Sequence, residues 1–257
     1  MQKTSSYFWI SLGLFLIFST SIVYTVERGT IIPLYSYPRT SSGVDAWKAL
    51  KDAVALYPIE AWAIVNVNNG PGASKDSIYA TAISDLKKTG VKTLGYVYTN
   101  YTKRSKSSVK KDIDNWKRWF QPAGIFFDEM TNDNVASHID YYANLDTYAK
   151  SKGFTFTVGN PGSNVPLPYF ETVDTIMIYE SESYPDNRTV CNPMYKGLPG
   201  REALGMFPYN VGTLDEAKIL MAKECIGYIY LTNDAGANPW DTLPPYLKNL
   251  FEILSRD

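Results

Sequence analysis

From residue 29 onward, short apolar runs of strand length alternate with longer stretches in which apolar positions recur at helical spacing. The apolar runs predict strands at residues 30–37, 61–67, 92–98, 123–128, 154–159, 175–180, 203–208 and 227–231. The stretches between them predict helices at residues 44–56, 75–88, 105–119, 134–151, 214–224 and 245–255. The third helix shows the period clearly, because Val109, Ile113 and Trp116 fall on one face.

Eight strands in strict alternation with helices predict a parallel sheet, and eight is the number of strands that closes a TIM barrel. The connections after the fifth and sixth strands are weakly helical, and residues 165–170 predict only a turn or two. An open doubly wound sheet would also fit this order, although no Gly-x-Gly-x-x-Gly or phosphate-binding loop follows a strand. We predict an α/β fold with one (β/α)8 TIM barrel at residues 29–257, preceded by a hydrophobic leader at residues 1–28.

The leader has the pattern of a targeting segment. Lys3 precedes an uncharged stretch at residues 4–26 with an apolar centre. That length fits either the core of a secretory signal peptide or a single membrane-spanning helix. No clear small-x-small cleavage site follows, so removal of a signal peptide and retention of a membrane anchor both stay open. Either one predicts an extracellular barrel, secreted or anchored to the cell membrane by the N-terminal segment.

Charge and composition narrow the function classes. Lys and Arg number 25 against 26 Asp and Glu, so no basic field exists to attract nucleic acid, and we expect none as a partner. The chain has 20 Tyr, which suit sugar rings but also ordinary half-buried strands. Its single His, His138, lies in a predicted helix and removes most Ser-His-Asp and His-metal schemes. We therefore expect no metal and no cofactor, and we expect a monomer.

Two further features bear on export. Cys191 and Cys225 could pair outside the cytoplasm and close a loop worth ~3 kcal/mol, although two cysteines alone do not establish a bridge. Asn100-Tyr101-Thr102 and Asn187-Arg188-Thr189 match the glycosylation acceptor pattern, which matters only in a host that glycosylates exported proteins.

Two predicted strands end in carboxylates. The run at residues 124–129 ends in Asp128 and Glu129, and the run at residues 175–180 ends in Glu180. Strand alternation with Asp128 and Glu180 pointing inward puts both acids at the mouth of the barrel, where such barrels keep their chemistry. Two carboxylates facing one cleft are the minimum for breaking a glycosidic bond. The alternative is that each acid caps a following helix or pairs with an Arg.

Tyr, Asn and other polar residues crowd the ends of the same strands, although turns and half-buried strands also use these types. Their hydroxyl and amide groups could bind sugar hydroxyls, and Tyr faces could stack on sugar rings. We therefore predict a polysaccharide substrate. The predicted substrate-binding residues are Tyr35, Tyr37, Asn66, Tyr96, Tyr98, Thr99, Tyr101, Arg104, Asn160 and Tyr209.

Four motifs in chain order resemble the spherulin-4 family over most of the predicted barrel. They are Pro33-Leu34-Tyr35-x-Tyr37-Pro38, Asn66-x-x-x-Gly70-Pro71-Gly72, Leu94-Gly95-Tyr96-Val97-x-Thr99-x-Tyr101-x-x-Arg104 and Gly124-Ile125-Phe126-Phe127-Asp128-Glu129. The resemblance implies a (β/α)8 glycoside hydrolase, some of whose fungal members cleave α-1,4-linked galactosamine or N-acetylgalactosamine polymers endolytically. It also implies Asp128 as nucleophile and Glu180 as acid/base, with Glu129 beside them. The second motif departs from the family because no Pro follows Asn66.

These observations lead us to expect a two-carboxylate glycoside hydrolase. A carboxyl separation of about 5–5.5 Å would predict retention of configuration, and about 6.5–9.5 Å would predict inversion. The main alternative is a non-catalytic glycan-binding or cell-surface coat protein on the same barrel, which an ion pair between an acid and Arg104 would favour. A metal-dependent hydrolase or deacetylase is disfavoured, because a single His set apart from the acids leaves only oxygen ligands.

Overall fold

Eight parallel strands close into a barrel in the order of the chain, and the last strand pairs back with the first through Tyr228 and Gly29. The structure is a computed structural model, and it describes residues 29–256. The predicted (β/α)8 TIM barrel is therefore confirmed. The leader predicted at residues 1–28 lies outside the described residues. Between residues 29 and 256, no helix has the length and apolar character needed to cross a membrane.

All eight predicted strands are present, with ends that differ from prediction by up to three residues. The strands are β1 (Gly29–Leu34), β2 (Glu60–Val65), β3 (Lys92–Tyr98), β4 (Gly124–Asp128), β5 (Phe156–Gly159), β6 (Thr175–Glu182), β7 (Leu204–Tyr209) and β8 (Tyr228–Ile229). β8 is shorter than predicted, but the chain beyond it still follows β7. The backbone N–H groups of Tyr230 and Thr232 donate to carbonyl groups of β7 at 3.2 and 3.1 Å.

The six predicted helices are also present. They are α1 (Ser41–Leu56), α2 (Ser77–Lys87), α3 (Lys106–Trp119), α4 (Ala136–Ser151), α6 (Glu216–Lys223) and α7 (Leu247–Ser255), with a short unpredicted α5 (Asn187–Val190). The weak pattern at residues 165–170 corresponds to a 3-10 turn at Leu167–Glu171. After β6 the chain forms α5 and two further 3-10 turns rather than one long helix. Cys191, at the end of α5, is joined by a disulfide to Cys225, with their Cα atoms 5.2 Å apart.

α3 shows how a helix is held against the barrel. Val109, Ile113 and Trp116 are buried, which confirms the predicted face. The Trp116 ring lies against Gly95 of β3, where an added Cβ would come within 2.5 Å of it. The Trp116 indole N–H also donates to the carbonyl of Tyr96 at 2.8 Å, so β3 and α3 are fixed to one another beside the barrel mouth.

Aromatic rings fill the inside of the barrel in layers. Toward the amino-terminal ends of the strands, Trp62 stacks on Phe156 with ring centroids 4.4 Å apart. Above them, Phe126 contacts Tyr96 and Phe207 at centroid distances of 6.1 and 6.2 Å. This packed interior fills the barrel at the amino-terminal ends of the strands. A ligand can therefore enter at the carboxyl-terminal ends, which form the upper end of the barrel.

Candidate active site

Asp128 is the last residue of β4, and side chains from the strands on either side hold its carboxylate. The Tyr96 hydroxyl of β3 donates to Asp128 Oδ2 at 2.6 Å. The Asn160 side-chain amide, just after β5, donates to Asp128 Oδ1 at 2.9 Å. With one donor on each oxygen, the carboxylate is fixed in the orientation predicted from strand alternation, facing the barrel mouth.

Asn160 connects this acid to Glu180. The same Nδ2 atom donates to Glu180 Oε2 at 2.6 Å. Asn160 Oδ1 accepts the Gly162 backbone N–H at 3.1 Å, which turns the amide nitrogen toward the two acids. The bridged oxygens of Asp128 and Glu180 are therefore no farther apart than the two bond lengths added together. This upper limit is compatible with a retaining glycosidase, whose carboxyl groups lie about 5–5.5 Å apart.

Two of the three acids, Glu180 and Glu129, have raised pKa values. The pKa of Glu180 is raised to about 7, mainly by burial and also by the negative charge of Asp128, while hydrogen bonds from Asn160 and Trp240 lower it. Burial also raises the pKa of Glu129, with a contribution from Asp128, and the backbone N–H of Asn100 opposes it. A carboxyl whose pKa lies near neutrality can give up a proton and take it back, as a general acid and base must.

The segment that carries Glu129 has an unusual backbone. Glu129 has a φ of 53°, in the left-handed region, and Asn100, Tyr101 and Thr102 after β3 have φ values of 48°, 50° and 67°. The two segments are joined by a hydrogen bond from Tyr101 N to Glu129 O at 2.9 Å. Left-handed residues other than Gly cost about 1–3 kcal/mol each and persist where the surrounding structure fixes them, often at functional sites.

The three acids line a cavity of about 380 Å³ at the upper end of the barrel. Ligand sites commonly have volumes of about 300–1,000 Å³, so the space suits one or two sugar units. Among the described residues that line it, three carry carboxylates and none is a Lys or Arg. The cavity is therefore negative and polar.

Several predicted site residues meet at this cavity. Asp128, Glu129 and Glu180 line it together, and so do the predicted substrate-binding residues Tyr101, Asn160 and Tyr209. Two further predicted residues lie close to the acids. Tyr96 bonds to Asp128, and Tyr35 contacts the Tyr96 ring edge-on with centroids 5.7 Å apart.

Thr99 requires a correction, because its side chain is completely buried and cannot touch a ligand. Its hydroxyl lies 2.9 Å from the carbonyl oxygen of Asp128 and 2.8 Å from that of Glu129. The Tyr142 hydroxyl of α4 is 3.1 Å away. Thr99 therefore supports the backbone that carries the acids. Strand-end position suggested a ligand contact, but the chain has left the strand by residue 99, and alternation no longer applies.

Four other predicted substrate-binding residues lie outside the cavity. The Tyr37 hydroxyl donates to Asp76 Oδ2 at 3.4 Å, and Asn66 Oδ1 accepts from Gly70 N at 3.0 Å, closing the loop after β2. These two side chains are engaged in holding loops. Contact with a longer polymer at either one stays a prediction.

The other two residues outside the cavity form a stack. The Arg104 guanidinium lies 4.0 Å over the Tyr98 ring and forms an ion pair with Asp112 of α3 at 2.7 Å. Arg104 thus pairs with a helix residue and not with one of the three acids. The glycan-binding alternative would have been favoured by an ion pair with one of those acids.

Sequence reasoning missed Trp240. It lies in the loop after β8 and lines the cavity together with Gly236 and Pro239. The Trp240 indole N–H donates to Glu180 Oε1 at 3.2 Å. A Trp among Asn, Asp, Gly and Pro residues, in a loop that follows the last barrel strand, was the available signal.

His138 has no part in the cavity. Its ring lies in α4 and contacts the carboxylate of Asp133, with Nδ1 2.9 Å from Oδ2. Over residues 29–256, no group of three or more His, Cys, Asp or Glu side chains is arranged to hold a metal ion.

Comparison with known proteins identifies a matching family model and solved structures with a similar fold. The family model described as "Spherulation-specific family 4" matches residues 29–254. Spherulin-4 of Physarum polycephalum is 36% identical over 153 residues, a match that covers 58% of this chain and 44% of that protein. The chain thus spans less than half the length of this relative.

Solved structures resemble the barrel at low sequence identity. Sph3 of Aspergillus clavatus, solved in complex with GalNAc, aligns with a TM-score of 0.81 and 22% identity, covering 90% of this chain and 98% of that one. The chitinase ChiB of Flavobacterium johnsoniae aligns with a TM-score of 0.58 and 8% identity, covering 89% and 94%. At these identities the likeness shows the shared fold.

Proposed function

The chain belongs to the spherulation-specific family 4, and from this premise we propose that it is a glycoside hydrolase that cleaves a polysaccharide. The observation that carries the proposal is the Asn160 amide nitrogen, which donates to both Asp128 and Glu180. It brings two carboxyl groups from different strands close together at one cavity, which supports a two-carboxylate mechanism.

In the proposed mechanism Asp128 attacks the anomeric carbon while Glu180, protonated, gives its proton to the departing glycosidic oxygen. The glycosidic bond breaks and an ester forms between the sugar and Asp128. Glu180, now a carboxylate, takes a proton from water, and the hydroxide oxygen attacks the same carbon. The ester bond breaks, Asp128 is released as a carboxylate, and the product keeps its original configuration.

The roles follow from the environment of each acid. Hydrogen bonds from Tyr96 and Asn160 aim the Asp128 carboxylate at the cavity. Glu180 is half-buried and has a pKa raised to about 7, so near neutral pH a substantial share of molecules carries the proton that the leaving group needs. Two carboxyl groups with different environments can thus serve as nucleophile and acid.

For the substrate we propose a polymer of α-1,4-linked galactosamine or N-acetylgalactosamine. The family resemblance supports this class, as does the GalNAc bound to Sph3 in the solved structure with the similar fold. The three carboxylates that line the cavity suit neutral or amino sugars and would repel the charge of uronic acid or sulfated polymers. Tyr101 and Tyr209 offer rings at the cavity edge for sugar contacts.

We further propose that the protein acts outside the cytoplasm as a monomer. The Cys191–Cys225 disulfide supports this setting, because such bonds form and persist in oxidising compartments. Asn100 and Asn187, the two glycosylation acceptors, are both exposed and accessible to attachment of a glycan.

A hydrolysis screen against neutral, amino-sugar and anionic polysaccharides tests the proposal. We expect the parent protein to release reducing ends from the amino-sugar polymer, and Asp128→Asn to lose at least about a thousandfold in kcat. Asp140→Asn, at an exposed position of α4, is the matched control and should keep full activity. An Asp128→Asn variant with parental activity would overturn the assignment. Binding of the polymer without hydrolysis by the parent would establish the glycan-binding alternative instead.

A further inference from the structure

The loop after β8 covers one side of Glu180. Residues 230–246 connect β8 to α7, and within them Trp240 donates its indole N–H to Glu180 Oε1 at 3.2 Å. Asn160 donates to the other oxygen, Oε2, at 2.6 Å. The carboxyl of Glu180 is thus held between an amide from the strand side and an indole from the loop side.

An aromatic cluster fixes the Trp240 ring in place. Its centroid lies 5.6 Å from that of Phe207, 5.9 Å from that of Tyr209 and 6.4 Å from that of Tyr230. The first two belong to β7 and the third follows β8, so the ring is packed against the barrel itself. A ring held on this side cannot rotate away from Glu180 without losing these contacts.

Hydrogen bonds hold the loop down on both sides of Trp240. Before it, the Asp234 carbonyl accepts from Asn210 N at 2.7 Å, and Asp234 Oδ2 accepts from the Thr242 hydroxyl at 2.7 Å. After it, the Tyr246 hydroxyl donates to the carbonyl of Val211 at 2.7 Å. The loop therefore returns to the end of β7 twice, and Trp240 lies between the two attachments.

Resting on the proposed function, we propose that Trp240 is the positioning residue that sets the protonation of Glu180 and aims its carboxyl, through two opposed effects of one side chain. The indole N–H stabilises the charged carboxylate, whereas the ring excludes water and so destabilises that charge. A carboxyl that acts first as acid and then as base must be able to exist in its protonated and its charged form. Trp240 affects the relative stability of these two forms.

The other groups around Glu180 leave this role to Trp240. Those that act on it from the remaining elements are Asp128 of β4, Asn160 after β5, Tyr96 of β3, Tyr35 after β1 and Tyr101 after β3. Asp128 works against the carboxylate form of Glu180, and Glu129 is a further acid that lines the same cavity. Burial is the largest effect on Glu180, and Trp240 is the loop residue that contacts the carboxyl directly.

Two substitutions separate the two effects. Trp240→Phe keeps an aromatic ring but removes the N–H, so the pKa of Glu180 should rise by on the order of one unit. Trp240→Ala removes the ring and admits water, so the pKa should fall toward its ordinary value by on the order of one unit. Trp119→Phe, on the outer helix α3, is the matched control and should leave the pKa unchanged.

The pKa is measured by carbon NMR on protein labelled at the glutamate carboxyl carbons, with the Glu180 signal assigned from its absence in Glu180→Gln. The same shifts should appear in the alkaline limb of the kcat/KM profile. Shifts of the same sign in both variants, or none in either, would overturn the proposal. If Trp240→Ala does not fold, the sign of the shift in Trp240→Phe decides alone.

The titration needs no turnover, so it separates this proposal from the proposed function. Opposite pKa shifts in a protein that hydrolyses no polymer would sustain the control of Glu180 by Trp240 and refute the hydrolase. Active enzyme with unshifted variants would refute the role of Trp240 alone.

Discussion

Glu180 combines features that are costly for a folded protein and useful for a catalyst. It is a half-buried carboxyl beside a second carboxyl, and its pKa is raised to about 7. The hydrogen bonds from Asn160 and Trp240 reduce the cost of its charge but do not remove it. At the scale of one residue, the raised pKa of Glu180 therefore predicts an effect of pH on activity and an effect of pH on the free energy of unfolding.

For activity, the general acid must carry its proton before the first step. Since the pKa of Glu180 is raised to about 7, we expect kcat/KM to fall tenfold per unit as pH rises above about 7. The measurement is a pH–rate profile of the parent enzyme on the amino-sugar polymer. A profile that stays level from pH 6 to about pH 9 would contradict the assignment of Glu180 as the acid.

For stability, a carboxyl whose pKa is raised on folding binds its proton more tightly in the native state. Its contribution is present below the ordinary value of 4.5 and is lost as pH rises through about 7. Relative to the parent, Glu180→Gln should therefore gain about 3 kcal/mol in the free energy of unfolding between pH 4.5 and pH 8. Urea unfolding of both proteins at the two pH values measures this, and an unchanged difference would show that Glu180 has no raised pKa.

At the scale of the element, β3 and the turn after it hold the acid-bearing segment in place. Thr99→Val keeps the shape of the side chain but removes the hydroxyl that contacts the Asp128 and Glu129 carbonyl groups. We expect a loss of about 1–3 kcal/mol in unfolding free energy together with a lower kcat. Thr93, within β3 itself, is a matched control because its buried hydroxyl has no hydrogen-bond partner among the described residues.

Thr93→Val should be neutral or stabilising, since it replaces an unsatisfied polar atom by a methyl group. Denaturant unfolding and kcat, measured for both variants, separate the local role of Thr99 from a general effect of the substitution. Equal losses in the two variants would mean that the hydroxyl of Thr99 does not support the acids.

The elements also differ in how far the sequence predicts them. β3 and β4 are apolar on both faces, so their extent follows from continuous apolar runs, whereas the pattern alone does not fix the face on which Asp128 lies. β6 carries an irregularity in its register with β7 between Met177 and Tyr179, which local patterning cannot indicate. α5 has only four residues, with a cap from Asp186 and the disulfide at its end, and such contacts are made by the fold rather than by helical period.

The residues of the candidate site also differ in how far the sequence predicts them. Asp128, Glu129 and Glu180 could be predicted because they end buried strands, and strand ends in a barrel share one rim. The position of Trp240 depends on hydrogen bonds between its loop and β7 and on packing against Phe207, all of them long-range contacts. Thr99 was misjudged because β3 ends at Tyr98 and the chain then turns through three left-handed residues, so strand alternation no longer gives the direction of its side chain.

At the scale of the whole molecule, the disulfide should contribute to stability and not to chemistry. Cys225 precedes β8 and so lies at the amino-terminal end of the barrel, away from the acids. Replacing Cys191 and Cys225 by Ser should lower the free energy of unfolding by about 2–4 kcal/mol, because the bridge restricts the unfolded chain. Thermal unfolding and kcat at a temperature where both proteins are folded test this, and a large loss of kcat would contradict it.

The central claim concerns two carboxyl groups from different strands, and the most direct measurement is to catch the sugar on one of them. Glu180→Gln, incubated with a 2,4-dinitrophenyl α-N-acetylgalactosaminide, needs no acid for the first step but lacks the base for the second. The account predicts that a sugar adduct accumulates on the peptide that contains residues 124–129 and that fragmentation in mass spectrometry assigns it to Asp128. Turnover of the reagent without any adduct, or an adduct on Glu129, would contradict it.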